Sequence, residues 1–210
     1  MTRVFLALAC HAVAVLSGCA STDRLPPVPL ALAAQINPLD LPDARFYPET
    51  DGERLAALGL QCRKRAEAAG LLRPKNGKVP PNYLLAISGG GDDGAFGAGL
   101  LAGWSERGDR PHFGLVTGVS TGALSAPFAY LGSEYDSKLK KVYTDTSADD
   151  IFQKRELLAA VTDDAMTDTT PLRDMIASFL DKAMIERIAE EYGKGRLLLI
   201  MTTNLDQSRP

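Results

Sequence analysis

Short apolar runs alternate with amphipathic stretches along this chain, and that alternation predicts the order of its elements. Tyr83 to Ile87 is an apolar run bounded by proline before it and glycine after it, the pattern of a buried strand. Phe113 to Val119 reads as a second strand and Arg196 to Thr202 as a third. Helical spacing predicts helices from about Gly94 to Glu106 and from Thr121 to Leu131. Gly97, Gly99 and Gly103 are poor helix formers, so they suit a helix that packs closely on the sheet. Helices are also expected over Ser137 to Tyr143 and Glu156 to Val161. Thr170-Pro171 opens another, with the hydroxyl at the cap and proline in the first turn. Its apolar face is Leu172, Met175, Ile176, Phe179 and Leu180. Ile185, Ile188 and Tyr192 mark the next helix, stopped by Gly193.

Upstream, Thr50-Asp51-Gly52-Glu53 has the form of a capping box. Leu55, Leu58, Cys62, Ala66 and Ala69 follow on one helical face, and Gly70 suits the stop. Arg63, Lys64 and Arg65 read as a solvated face. Lys75-Asn76-Gly77-Lys78 is a turn. Strands that alternate with helices predict an α/β fold: a mostly parallel sheet with flanking helices.

Composition narrows the class. The chain has 210 residues, 45% hydrophobic and 23% charged, with a net charge of -3. That suits one globular domain with attachments. There is no basic tract and no basic-aromatic interleaving, so nucleic acid is not an expected partner. Residues 1–18 read as a signal peptide: Arg3 is the positive start, and Val4 to Leu16 is a mostly apolar run. That run is shorter than the about 20 residues a membrane span needs. Leu16-Ser17-Gly18-Cys19 resembles a bacterial lipobox, in which Cys19 becomes the lipidated first residue. The expected partner is therefore a membrane, reached through acyl chains on Cys19. Ala20 and Ser21 follow without an acidic residue, which by resemblance to bacterial lipoprotein sorting implies the outer membrane of a cell envelope. Residues 19–50, with six prolines, read as a tether and irregular segment. Residues 51–82 are an N-terminal helix and turn, and 83–210 the main domain. Cys62 is left without a disulfide partner and reads as a small apolar helix residue.

The chemistry lies in two glycine-rich stretches. Gly118-Val119-Ser120-Thr121-Gly122 follows one strand and precedes a small-residue helix. That context fits a nucleophile elbow, with Ser120 on a sharp turn and Gly118 and Gly122 leaving room for backbone. It also fits an ordinary strand–turn–helix corner with a capping serine. The second stretch, Gly89-Gly90-Gly91-Asp92-Asp93-Gly94, lies one crossover earlier. Gly89, Gly91 and Gly94 match a dinucleotide fingerprint, but the next strand ends in Gly118-Val119-Ser120, not in the acidic residue such a site requires. The loop instead suits a set of oxyanion donors at a helix N-terminus. No calcium-loop or zinc spacing occurs, so neither a metal nor a cofactor is expected.

The proton acceptor discriminates between mechanisms. The histidines are His11 and His112, and neither follows Ser120. His112 starts the strand that ends in Ser120, so it lies about 25 Å away at about 3.3 Å per residue. A Ser-His-Asp triad is excluded within this chain, and a carboxylate would have to take the serine proton directly.

These two motifs, in this order and separation, resemble the patatin-like phospholipase family. Thr170-Pro171-Leu172-Arg173 and Thr202-Thr203-Asn204-Leu205-Asp206 are also similar to it, and the resemblance covers Tyr83 to Pro210. It implies a three-layer α/β fold and a lipid acyl hydrolase with a Ser-Asp dyad that works through an acyl-enzyme. Ser120 would be the nucleophile, and the Gly89–Gly91 amides would hold the oxyanion. Phospholipids, lysophospholipids and neutral acyl esters would all suit a serine at a sheet edge, and the sequence does not choose among them. One family element is missing: an Asp-Gly-Gly or Asp-Gly-Ala motif after the serine. The Asp-Gly pairs are Asp51-Gly52 and Asp93-Gly94, both before Ser120. Asp145, Asp150, Asp164, Asp168 and Asp206 lack the motif. The expectation is a C-terminally incomplete member whose dyad aspartate lies beyond residue 210. The alternatives are a non-catalytic lipid-binding lipoprotein and an acyltransferase on the same fold.

Overall fold

The computed structural model describes residues 28–33, 40–41, 44–145, 153–154, 167–168 and 170–204. Cys19, the helix expected over Glu156 to Val161, and Asp150, Asp164 and Asp206 lie outside the described residues. In chain order the elements are α1 (Leu30–Ala33), α2 (Gly52–Ala68), β1 (Tyr83–Ile87), a 3₁₀ turn (Gly91–Asp93), α3 (Gly94–Arg107), β2 (Phe113–Val119) and α4 (Thr121–Leu131). A second 3₁₀ turn (Ser133–Tyr135), α5 (Asp136–Thr144), β3 (Gln153–Lys154), β4 (Thr167–Asp168), α6 (Thr170–Phe179), α7 (Lys182–Gly193) and β5 (Leu197–Met201) follow.

The fold is α/β: a three-stranded parallel sheet flanked by helices. The strand order is β1-β2-β5, with Ile87 beside Gly118 and Val119 beside Met201. Because all three strands run the same way, the loops after them open on one edge. Gln153–Lys154 and Thr167–Asp168 form a separate antiparallel pair.

The core is built on β2 and α4. Val116 and Phe113 meet Ala126, Phe128, Ala129, Tyr130 and Leu131, with Leu139, Val142 and Met184 closing the cluster. The small residues of α4 allow this: Ser125 through Leu131 are all buried in a helix that carries Pro127 in its interior. Buried side chains of this size each contribute about 1.5–3 kcal/mol.

Several local expectations are corrected by packing. β1 is only half-covered: Leu85 and Ile87 pack on the core, while Leu84 is 66% exposed at the edge of the described sheet. Gly97, Gly99 and Gly103 do not mediate close packing, since a Cβ at any of them would meet open space. Ala98, Leu101 and Ala102 form the buried side of α3 instead. The N-cap of α2 is Asp51 and not Thr50. Asp51 occupies the N-cap without a capping bond, and its Oδ2 accepts from the Tyr47 N–H at 2.7 Å and pairs with Arg54 at 3.1 Å. Arg65 leaves the solvated face: its guanidinium lies 4.0 Å from the Tyr192 ring centroid and donates to Cys62 Sγ. On α7 the buried positions are Met184 and Glu191, whereas Ile185 and Tyr192 are exposed. The left-handed turn after α7 falls at Gly195, φ +90°, rather than at Gly193. A Cβ there would lie 2.5 Å from the Ala66 amide, so Gly195 lets α2 close on this corner.

Arg196 ties that corner to the sheet. Its Nε donates to the Phe113 carbonyl at 2.8 Å, one Nη to Glu191 Oε2 at 2.8 Å, and the other to the Tyr130 carbonyl. Burial alone would raise the Glu191 carboxyl, but the bonds from Lys194 and Arg196 outweigh it and hold it below its ordinary value. A carboxyl lowered in the folded state adds stability that is complete above its unfolded value and lost as pH falls through the folded one. The urea midpoint is therefore expected to drop as pH is lowered below about 4.3, and Glu191→Gln should flatten that drop. An equal slope in the variant would show that Glu191 does not carry it.

Candidate active site

Ser120 sits between the last residue of β2 and the first of α4, and its backbone is the unusual feature of the molecule. Its φ of 55° and ψ of -127° fall in a region that a residue with a Cβ rarely enters. Such a conformation costs about 1–3 kcal/mol and persists only where the surroundings impose it. The surroundings are backbone. A Cβ on Gly122 would collide with the carbonyl of Ile87 and lie 2.6 Å from that of Ser88. A Cβ on Gly118 would collide with the Gly122 carbonyl and lie 2.8 Å from Ala126 Cβ. The first turn of α4 is thus pressed onto the ends of β1 and β2, and the chain can leave β2 only by a sharp reversal at Ser120. The Ala123 N–H then donates to the Ser120 carbonyl at 2.9 Å, starting the helix. The Ser120 side chain makes no capping bond and is exposed at the sheet edge, near the positive end of α4.

The glycine loop lies directly against it. A Cβ on Gly89 would stand 2.8 Å from Ser120 Cβ and 3.3 Å from Oγ. Gly91 has φ +56°, open to glycine at no steric cost. The N–H groups of Gly89, Gly90 and Gly91 make no backbone hydrogen bond among the described residues. Gly94 closes the loop against α4, where a Cβ would meet Thr121 Oγ1 and lie 2.9 Å from Tyr143 Oη. Asp92 and Asp93 are exposed in the 3₁₀ turn.

Tyr143, on α5, is a contributor the sequence reading passed over. Its hydroxyl donates to the Thr121 carbonyl at 3.0 Å and lies 3.0 Å from Thr121 Oγ1 and 2.8 Å from Ser125 Oγ. The available signal was Thr121 and Ser125, two hydroxyls one turn apart in an otherwise small and apolar helix.

His112 lies at the far end of β2, on a polar cavity of about 140 Å³ with Arg110 and Arg196. Of the candidate carboxylates, Asp145 is exposed at the end of α5 and accepts from Thr144 Oγ1 at 2.8 Å. Asp168 lies in the β3–β4 pair. Among the described residues no group of three or more His, Cys, Asp or Glu is arranged to hold a metal ion. Beyond β5, Asn204 Nδ2 donates to the Tyr47 hydroxyl at 3.3 Å, which brings the N-terminal segment to the same sheet edge.

The family model for patatin-like phospholipase matches residues 85–208, which takes in the end of β1, both glycine stretches and β5. The chain belongs to the patatin-like phospholipase family. That is a family of lipid acyl hydrolases, generally serine hydrolases, with lipid substrates. No curated protein and no solved structure matches the chain.

The backbone strain at Ser120 yields a direct test. Ser120→Gly and Ser120→Ala both remove the hydroxyl, but only glycine accepts φ near +55° freely. The glycine variant should be more stable than the alanine variant by about 1 kcal/mol. Equal urea midpoints for the two would mean that the turn is not strained.

Proposed function

We propose that the protein hydrolyses acyl esters of lipids, with Ser120 as nucleophile and the Gly89–Gly91 amides as oxyanion donors. The observation that carries this reading is the strained Ser120 turn with Gly89 against its side chain. In the first step Ser120 Oγ attacks the ester carbonyl carbon while a carboxylate takes its proton. The carbonyl oxygen becomes an oxyanion held by loop N–H groups, a contribution typically worth about 10²–10³ in rate per donor. The tetrahedral intermediate collapses, the C–O bond to the alcohol breaks, and the alcohol leaves with that proton. Water then attacks the acyl-enzyme, giving the carboxylic acid and restoring Ser120. Val119 and Met201, paired on neighbouring strands beside Ser120, are exposed apolar residues that suit an acyl chain.

An Asp-Gly-Gly or Asp-Gly-Ala motif is absent after Ser120 in residues 121–210. We assign the proton acceptor to a carboxylate other than Asp206. The second reading is a lipid-binding module without turnover. Cys19 is proposed as a lipid anchor that holds the domain at a bacterial envelope membrane.

A fluorophosphonate probe separates the two readings. In the full-length protein, labelling is expected to be lost in Ser120→Ala and to stay within about twofold in Asp206→Asn. Wild-type protein that takes no label at Ser120 would rule out the hydrolase. Incorporation of radioactive palmitate in bacterial cells should disappear in Cys19→Ala; persistence would sink the anchor.

A further inference from the structure

We propose that Tyr143 is a positioning residue that holds the Ser120 turn and the glycine loop in one geometry. The inference rests on the hydrolase reading above and names a residue outside its two motifs. Tyr143 comes from α5, an element with no part in either motif, yet its hydroxyl sits where they converge. A phenol has one hydrogen to donate and lone pairs to accept. The hydrogen goes to the Thr121 carbonyl, which can only accept. The Thr121 and Ser125 hydroxyls, at 3.0 and 2.8 Å, therefore direct their own hydrogens at Tyr143 Oη. Two of the bonds end on Thr121, the residue directly after Ser120, and the third on Ser125, one turn further along α4.

The location explains what the bonds do. The φ of 55° at Ser120 relaxes if Thr121 can rotate its peptide back towards an ordinary turn. Tyr143 binds Thr121 through backbone and side chain together and blocks that rotation. Gly94 is the other contact: its Cα faces Thr121 Oγ1 and Tyr143 Oη so closely that no Cβ fits. The phenol thus also sets how near the start of α3, and with it the glycine loop, approaches the serine. Thr121 and Ser125 are buried, so water does not readily replace a lost phenol.

Tyr143→Phe keeps the ring and removes all three bonds. In the full-length protein, Ser120-dependent fluorophosphonate labelling should slow about 10- to 100-fold, because a small displacement of a reacting group costs that much. With a short-chain ester, kcat should fall while KM stays within about twofold. A second measurement needs no turnover: amide hydrogen exchange. Ala123 should lose protection at least about tenfold in the variant, while Val116 in β2 keeps its own. Thr121→Val should give a partial loss in the same assays.

The inference is overturned if Tyr143→Phe labels at the wild-type rate, or if Ala123 and Val116 lose protection equally, which would mark a merely structural role. If wild-type protein takes no label at Ser120, the hydrolase reading fails. The exchange experiment then still decides whether Tyr143 holds the turn.

Discussion

At one edge of the sheet, backbone meets backbone more closely than a Cβ would permit, and the geometry around Ser120 depends on that approach. Gly122 lies on the carbonyls that end β1, Gly118 on the carbonyl of Gly122, and Gly89 on the side chain of Ser120. Each contact removes an alternative path for the chain. With those paths closed, the turn out of β2 passes through a conformation that a serine enters only under constraint.

The opposite end of β2 is built on different principles. There Arg196 spans three elements and pairs with Glu191 in a largely buried site. Arg110 does the same between α3, α4 and α5, bonding the Leu101 and Ala129 carbonyls and pairing with Asp136 at 2.7 Å. Removing one member of such a pair typically costs about 3–5 kcal/mol, because the other charge is left without a partner. Between the two ends lies the apolar contact of Val116 with α4. The strand is thus anchored at its start and packed at its middle, and this is what can hold about 1–3 kcal/mol of strain at its tip.

Much of this was legible in order and kind. The runs Tyr83–Ile87 and Phe113–Val119 and the helix Thr121–Leu131 occur where periodicity and turn residues put them. The face of α6 also agrees, with Leu172, Met175, Ile176, Phe179 and Leu180 all half-buried while Arg173, Asp174, Ala177 and Ser178 are exposed. The misreadings share one cause. Periodicity reports that a face is apolar, not what lies against it. Gly97, Gly99 and Gly103 looked like packing glycines, yet they face open space, whereas Gly94 and Gly195 make the tight contacts. Arg65 sat in a run of three cations and looked solvated, until α7 brought Tyr192 beneath it.

The sequence by itself determined the α/β class, the two glycine stretches and their separation by one crossover. These follow from local rules of residue type and spacing. Only the tertiary structure decided that Gly89 lies against Ser120, that Ser120 carries a positive φ, and that Tyr143 bonds Thr121 and Ser125. Those facts depend on which surfaces meet when β1, β2, α4 and α5 are packed together. Contact between residues distant in sequence leaves no period in the chain to read.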